Sequence, residues 1–225
     1  MNINLSLVAL RCRAKIAWFD AKAAVTRQYY PRAAYQAGYS PDTEYLPIIG
    51  ADHVVTDHVL RRTAHEQGLL HPTVHLIIFN ERGEILVQKR GGSKDNSAGK
   101  LAQSVGGHLS ALNCPVGEPV HLLTSFQAVK IESSQELGIS LSQISFIAEF
   151  RHVSAGGKNQ EFATLFLGWT NDQIKANRTE LSWAEWFDPF QVRALSISSP
   201  GLFSPSFLTD LAKLESAGFF NPRPK

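Results

Sequence analysis

Three residues have types and spacing suited to holding a cation. Glu132, Gln135 and Glu136 stand at i, i+3 and i+4, so on a helix their side chains share one face. Clustered acids on one face repel unless a cation or basic groups neutralise them. A hard divalent ion, Mg2+ or Mn2+, accepts such oxygen ligands. The plain alternative is a solvated helix face, because charge clusters are commonly just surface.

These residues need a helix and a sheet to position them. A helix is predicted over Pro119 to Leu137, stopped by Gly138 at the usual position past the last turn. Thr73–Phe79 reads as a buried strand rich in β-formers, Asn80-Glu81-Arg82-Gly83 as a hairpin turn, and Glu84–Lys89 as the returning strand. Gly91 to Gly99 is polar and glycine-rich, hence a loop. Leu101–Val105 forms a short strand that runs into Gly106-Gly107-His108. Ile144–Val153 and Glu161–Trp169 pair across an Ala155-Gly156-Gly157-Lys158 turn, Ser182–Phe187 is a further strand, and Phe207–Ser216 is a small helix. Strands around an interior helix without regular alternation indicate an α+β or mixed sheet.

The 225 residues, 19% charged and 44% hydrophobic, suffice for a full core and exclude a chain disordered throughout. A net charge of +2 gives no dedicated nucleic-acid surface, so no DNA partner is expected. Cys12 and Cys114 make neither a disulfide scaffold nor a zinc site. No apolar run approaches the ~20 residues that span a bilayer, so no membrane partner is expected. Residues 1–40 carry six basic residues against Asp20 alone, which fits either an organelle-targeting segment or an amphipathic helix over Leu10–Gln28. Tyr29-Tyr30-Pro31 and Tyr39-Ser40-Pro41 punctuate the connection that follows. A cytoplasmic location is the default expectation.

Gly106-Gly107-His108-Leu109-Ser110-Ala111 and, after a gap, Glu132-Ser133-Ser134-Gln135-Glu136-Leu137-Gly138-Ile139 resemble the signature of the Nudix hydrolases. That pattern is Gly, five residues, Glu, seven residues, then Arg-Glu-apolar-x-Glu-Glu-x-Gly-apolar. Leu86-Val87-Gln88-Lys89-Arg90 resembles the family's strand ending in a basic pair, and Trp186-Phe187 its late aromatic pair. Arg61 to His71 resembles the lead-in of the branch that includes isopentenyl diphosphate isomerase.

The resemblance implies an α/β/α sandwich with a mixed β-sheet. Residues 1–42 would be an extension, 43–200 the Nudix-like domain, and 201–225 a C-terminal helix and tail. It implies that Glu132 and Glu136 are metal ligands and that Glu161 is a further carboxylate for metal binding or water activation. These three form the expected catalytic set, and Gln135 joins them in the expected metal set. Gly107 would let backbone approach metal and phosphate, with Lys89, Arg90 and His108 completing the substrate-binding set. The implied reaction is Mg2+- or Mn2+-dependent attack of water on a small nucleoside-diphosphate-type substrate, in a monomer or a homodimer. Every motif lies after residue 40, so the extension is expected to be dispensable to catalysis.

Three departures stand against this transfer. Ile131 occupies the position of the family's Arg, and Gln135 replaces a Glu. Gly138 also lies 31 positions after Gly107 (138 − 107), where the pattern has 21, an insertion of ten. Asn113 or Glu118 then stands for the early Glu, depending on where the insertion falls. These departures motivate a rival reading, a silent domain that binds nucleotide, RNA or protein. His65, His71, His108 and Glu161 resemble the isomerase branch's metal set, and imidazoles shift preference toward Zn2+ or Mn2+. Gly106-Gly107 nevertheless stands where that branch carries its catalytic cysteine, and ordinary core or loop histidines are the plain alternative.

If the box forms a site, Gln135→Glu tightens Mn2+ binding by about 1 kcal/mol, roughly fivefold, measured by calorimetry. Identical weak binding by both proteins would mark the face as merely solvated.

Overall fold

The computed structural model describes residues 5–29, 43–92, 97–154 and 156–220. The connection bearing Pro31 and Pro41, the loop tip 93–96, Ala155 of the expected turn and the tail 221–225 lie outside them. Helix α1 (Leu5–Tyr29) comes first, followed by the hairpin of β1 (Tyr45–Ile49) and β2 (Val55–Leu60) and by α2 (Arg61–Gln67). Then come β3 (Leu70–Phe79), β4 (Ile85–Arg90), β5 (Leu101–Ala102) and β6 (Val105–His108). Helix α3 (Leu122–Leu137) precedes β7 (Gln143–Val153), β8 (Gln160–Trp169) and β9 (Leu181–Phe187), and α4 (Pro189–Ser198) and α5 (Pro205–Ser216) close the described chain.

Strands β3 to β9 build one seven-stranded sheet in the order β5-β4-β3-β8-β7, with β6 paired to β3 and β9 to β4. Only β3 and β8 run parallel within it, so the sheet is mixed, as expected. Successive strand residues face opposite layers. On one face Val74, Leu76, Leu86, Val105 and Phe166 pack against Val129 and Leu137 of α3. On the other Ile77, Val87, Leu165 and Trp183 pack against residues of α1, α4 and α5. The result is an α/β/α sandwich.

Two expectations need correction. Leu101–Val105 is not one strand, because buried Ser104 interrupts it. Its hydroxyl donates to Leu86 O (2.6 Å) and accepts from Ile78 N (2.8 Å), tying β3 to β4 where those strands part. Helix α3 begins at Leu122, not Pro119, because Pro119 and Val120 are spent on the hairpin. Pro119 bridges Val54, and Val120 N donates to His53 O (3.0 Å). Gly138 caps α3 in the left-handed region (φ 65°), where only glycine is unstrained.

Helix α1 shares the main core. Ala9, Cys12 and Phe19 are buried in it, and the Phe19 ring lies 5.6 Å from Trp183 and 6.1 Å from Phe187. Asp20 accepts from Lys89 Nζ (2.6 and 2.7 Å) and from Trp183 Nε1 (2.9 Å). No helix among the described residues is long and apolar enough to cross a membrane.

Deleting the Asp20 carboxylate strands both donors. Because Asp20 is 39% exposed, water offsets part of the loss. Asp20→Ala is expected to cost about 1–2 kcal/mol. That is a drop of about 2–8 °C in a thermal melt, and an unchanged midpoint would mean that α1 is held by apolar contacts alone.

Candidate active site

Glu132 and Glu136 project from α3 toward the sheet, whereas Gln135 does not. Glu136 is 5% exposed, Glu132 is half-buried and Gln135 is exposed. Gln88 on β4 donates to Glu136 Oε2 (3.3 Å). Gly107 on β6 lies against Glu132 so closely that a Cβ there would come within 2.2 Å of Glu132 Cδ. The missing side chain is what lets the glutamate reach the strand. The ten-residue insertion does not disturb this approach. It is taken up between Leu109 and His121, where Val55 N donates to Glu118 O (2.9 Å) and Gly117 N to Val55 O (2.8 Å). Asn113 and Glu118 are both exposed in that segment, while Ile131 lies 50% exposed on α3.

A second set of groups lines the opposite face at the same end of the sheet. His71 on β3 is in register with Glu161 on β8, and Thr73 with His108 on β6, so all three chemical groups face one layer. His65 reaches them from the last turn of α2, and ligand atoms of His65, His71 and His108 lie within 4.8 Å of one another. Among the described residues they are the one group of three or more His, Cys, Asp or Glu so placed. His71 Nδ1 bonds Leu69 O (2.9 Å), which leaves Nε2 to the cluster. Nε2 of His71 and of His108 are buried with no hydrogen-bond partner among the described residues.

Burial holds His71 below the usual imidazole range, partly offset by the Leu69 carbonyl and Glu161. Burial pushes His108 much further down, helped by positive Arg61. Both are therefore neutral at pH 7, the form that ligates metal. Nitrogen donors with buried free electron pairs fit a borderline divalent ion better than Mg2+.

Glu161 is 12% exposed, accepts from Asn159 Nδ2 (2.6 Å) and faces His75 Nε2 at 3.7 Å. Burial would raise its pKa, but His75, His71 and Asn159 outweigh that and bring it down to about 2. His75 is fully enclosed. Burial alone would lower its pKa, yet Asp210 and Glu161 raise it to about 10. Half-buried Arg90 has its pKa lowered by burial and sits in the field of Glu136 and Glu161, between the two sets of groups.

Of the eight expected site residues, five fall into two groups, Arg90 lies between the groups, Gln135 is exposed and Lys89 is an outlier. Glu132, Glu136 and Gly107 meet on the α3 face, and Glu161 and His108 meet on the other. Lys89 joins neither, because alternation turns it to the outer layer, where Asp20 holds it. His75 and Asp210 escaped the sequence reading, and Gln88 and Arg61 stood in its motifs without a role. An acid amid the buried apolar stripe Phe207, Leu211 and Leu214 was the signal available for Asp210.

A mixed sheet between helix layers, with glutamates of one helix set against a bare glycine strand, defines a Nudix-type framework. The NUDIX domain profile matches residues 69–202, and the chain belongs to the Nudix family, whose enzymes generally use divalent metals. It is 32% identical over 152 residues to an uncharacterized Nudix hydrolase of Listeria monocytogenes, covering 67% of this chain and 82% of that one. It is 27% identical to isopentenyl-diphosphate Delta-isomerase of Serratia proteamaculans, covering 76% of this chain and 91% of the relative. Among solved structures, DR0079 from Deinococcus radiodurans shares the fold with a TM-score of 0.60 at 18% identity, over 76% of this chain and 98% of that one.

Gly107→Ala tests the close approach. The obstructing atoms belong to a flexible side chain, so the expected stability loss is only about 1 kcal/mol. Glu132 must swing away, and Mn2+ titration should show weaker binding while the melt barely moves. A variant that binds Mn2+ as before would show that Glu132 plays no part in holding it.

Proposed function

We propose that this chain is a divalent-metal-dependent hydrolase that splits the diphosphate bond of a small nucleoside-diphosphate-type substrate. The observation that carries this reading is Gly107 lying bare against Glu132, with Glu136 buried behind it, despite the ten-residue insertion. Glu132 and Glu136 would hold the ion, with Glu161 and the three histidines offering a second set of donors. A bound divalent ion supplies polarisation of a phosphoryl oxygen and a water acidic enough to react near neutral pH. Arg90 and Arg61 place positive charge where phosphate oxygens would lie. Half-buried Glu132, reachable by solvent, is suited to take the proton from the attacking water, while buried Glu136 keeps its place through Gln88. Attack of water at phosphorus breaks the bridging P–O bond and releases two phosphorylated products. Exposed Gln135 contributes little to this arrangement. The proposed setting is the cytoplasm.

The three-histidine cluster favours a second reading, an isomerase-like enzyme, in line with the Serratia relative. Against it stands Gly106, which offers no acid. A Cβ there would come within 2.6 Å of the Gln103 amide nitrogen, so the space is already filled. Cys114 is no substitute, because it is buried in the α3-side core and burial raises its thiol pKa to about 11.

Release of monophosphorylated products over a panel of diphosphates with Mg2+ and Mn2+, read by chromatography, separates these readings. Glu132→Gln is expected to lower turnover by about 100-fold or more, near 3 kcal/mol of barrier, with the fold intact. Unchanged turnover would sink the assignment. Conversion of isopentenyl diphosphate with its diphosphate left intact would favour the isomerase-like reading. Nucleotide binding with no product at all would favour a binding module.

A further inference from the structure

Asp210 is a charge without an obvious structural purpose. It lies on α5, wholly buried, on a face shared with Phe207, Leu211 and Leu214. Its Oδ1 is 2.9 Å from His75 Nδ1, and its Oδ2 has no hydrogen-bond partner among the described residues. His75 sits on β3 with Nε2 3.7 Å from Glu161 Oε2. Glu161 in turn is in register with His71 of the three-histidine cluster. Three ionisable side chains therefore run in line from the C-terminal helix to the edge of the site.

Stability alone explains this poorly. Enclosed charges cost more than their attraction returns unless every lone pair is satisfied, and Asp210 Oδ2 is not. Two apolar side chains of similar volume would fill the place at least as well. The arrangement does have the form by which a carboxylate controls a histidine beside a reactive group. With Nδ1–H given to Asp210, the orientation of the ring is set, and its Nε2–H is aimed at Glu161.

Building on the site reading above, we infer that His75, oriented by Asp210, is a positioning residue for Glu161. It holds the carboxylate from the core side, while Asn159 holds the other oxygen. Glu161 Oε2 has no hydrogen-bond partner among the described residues, and His71 of the cluster is the register neighbour of Glu161 on β3. Helix α5 is then part of the active site although it supplies no group to the cluster itself.

The test uses the full chain carrying Asp210→Asn and, separately, the apolar pair His75→Phe with Asp210→Leu. Each is made with Glu161 present and with Glu161→Gln. Mn2+ affinity is read by calorimetry and the metal-free melting midpoint by thermal scan. Asp210→Asn is expected to weaken Mn2+ binding about 10–100-fold when Glu161 is present. In the Glu161→Gln background the further loss should stay within about twofold, because the effect acts through that carboxylate. The apolar pair should melt at or above the wild-type midpoint while binding Mn2+ as weakly. If that pair does not fold, the two Asp210→Asn measurements decide alone. A folded Asp210→Asn that binds like wild type, an equal loss in both backgrounds, or a wild-type chain that binds no Mn2+ would overturn the inference. A coupled loss of affinity in a chain that hydrolyses no diphosphate would keep the positioning role and overturn the hydrolase reading instead.

Discussion

The parallel pairing of β3 with β8 is the constraint from which the site follows. Ten consecutive residues are in register, from Leu70 opposite Gln160 to Phe79 opposite Trp169. Parallel strands of this kind are buried on both faces, and eight of the ten β3 residues are fully enclosed. A slip of one residue would turn Glu161 away from His71 and His75 and into the α3 layer. The apolar residues that follow it, Phe162 toward α3 and Ala163 on the opposite face, forbid that slip. Core packing and site geometry are thus one and the same requirement.

The sheet also acts as a partition between two kinds of donor. Oxygen donors, Glu132 and Glu136, approach from the α3 layer, and imidazoles gather on the other side with Glu161. Each side tolerates its burial differently. Glu136 is supported by Gln88 and the field of Arg90, whereas His71 and His108 avoid the cost by staying neutral. Arg90, at the end of β4 beyond an irregularity in its pairing with β9, is placed to serve both sides.

Much of this was legible in the chain itself. Gly138 marked the end of α3, the turn at Asn80–Gly83 marked the β3–β4 connection, and the box residues met despite their stretched spacing. What escaped did so for physical reasons. Strand β1 is five residues with Pro47 inside it, and β2 is half polar, so neither carries a clear period. Helix α2 is too short to show an apolar face. Lys89 and Arg90 read as a basic pair along the chain, but a strand sends neighbours to opposite faces. Asp210 lies 135 residues from His75, and only tertiary packing brings the two together.

The stretch that carries the family's sequence pattern, 69–202, is shorter than the body that closes the site. His65 precedes it by four residues, and Asp210 follows it by eight. Asp20, which secures the outer layer, lies further out still. A piece of this protein trimmed to those limits would keep every box residue and still lose one corner of the histidine triangle and the anchor behind His75. Borders drawn from sequence likeness therefore cut through a chemical unit here.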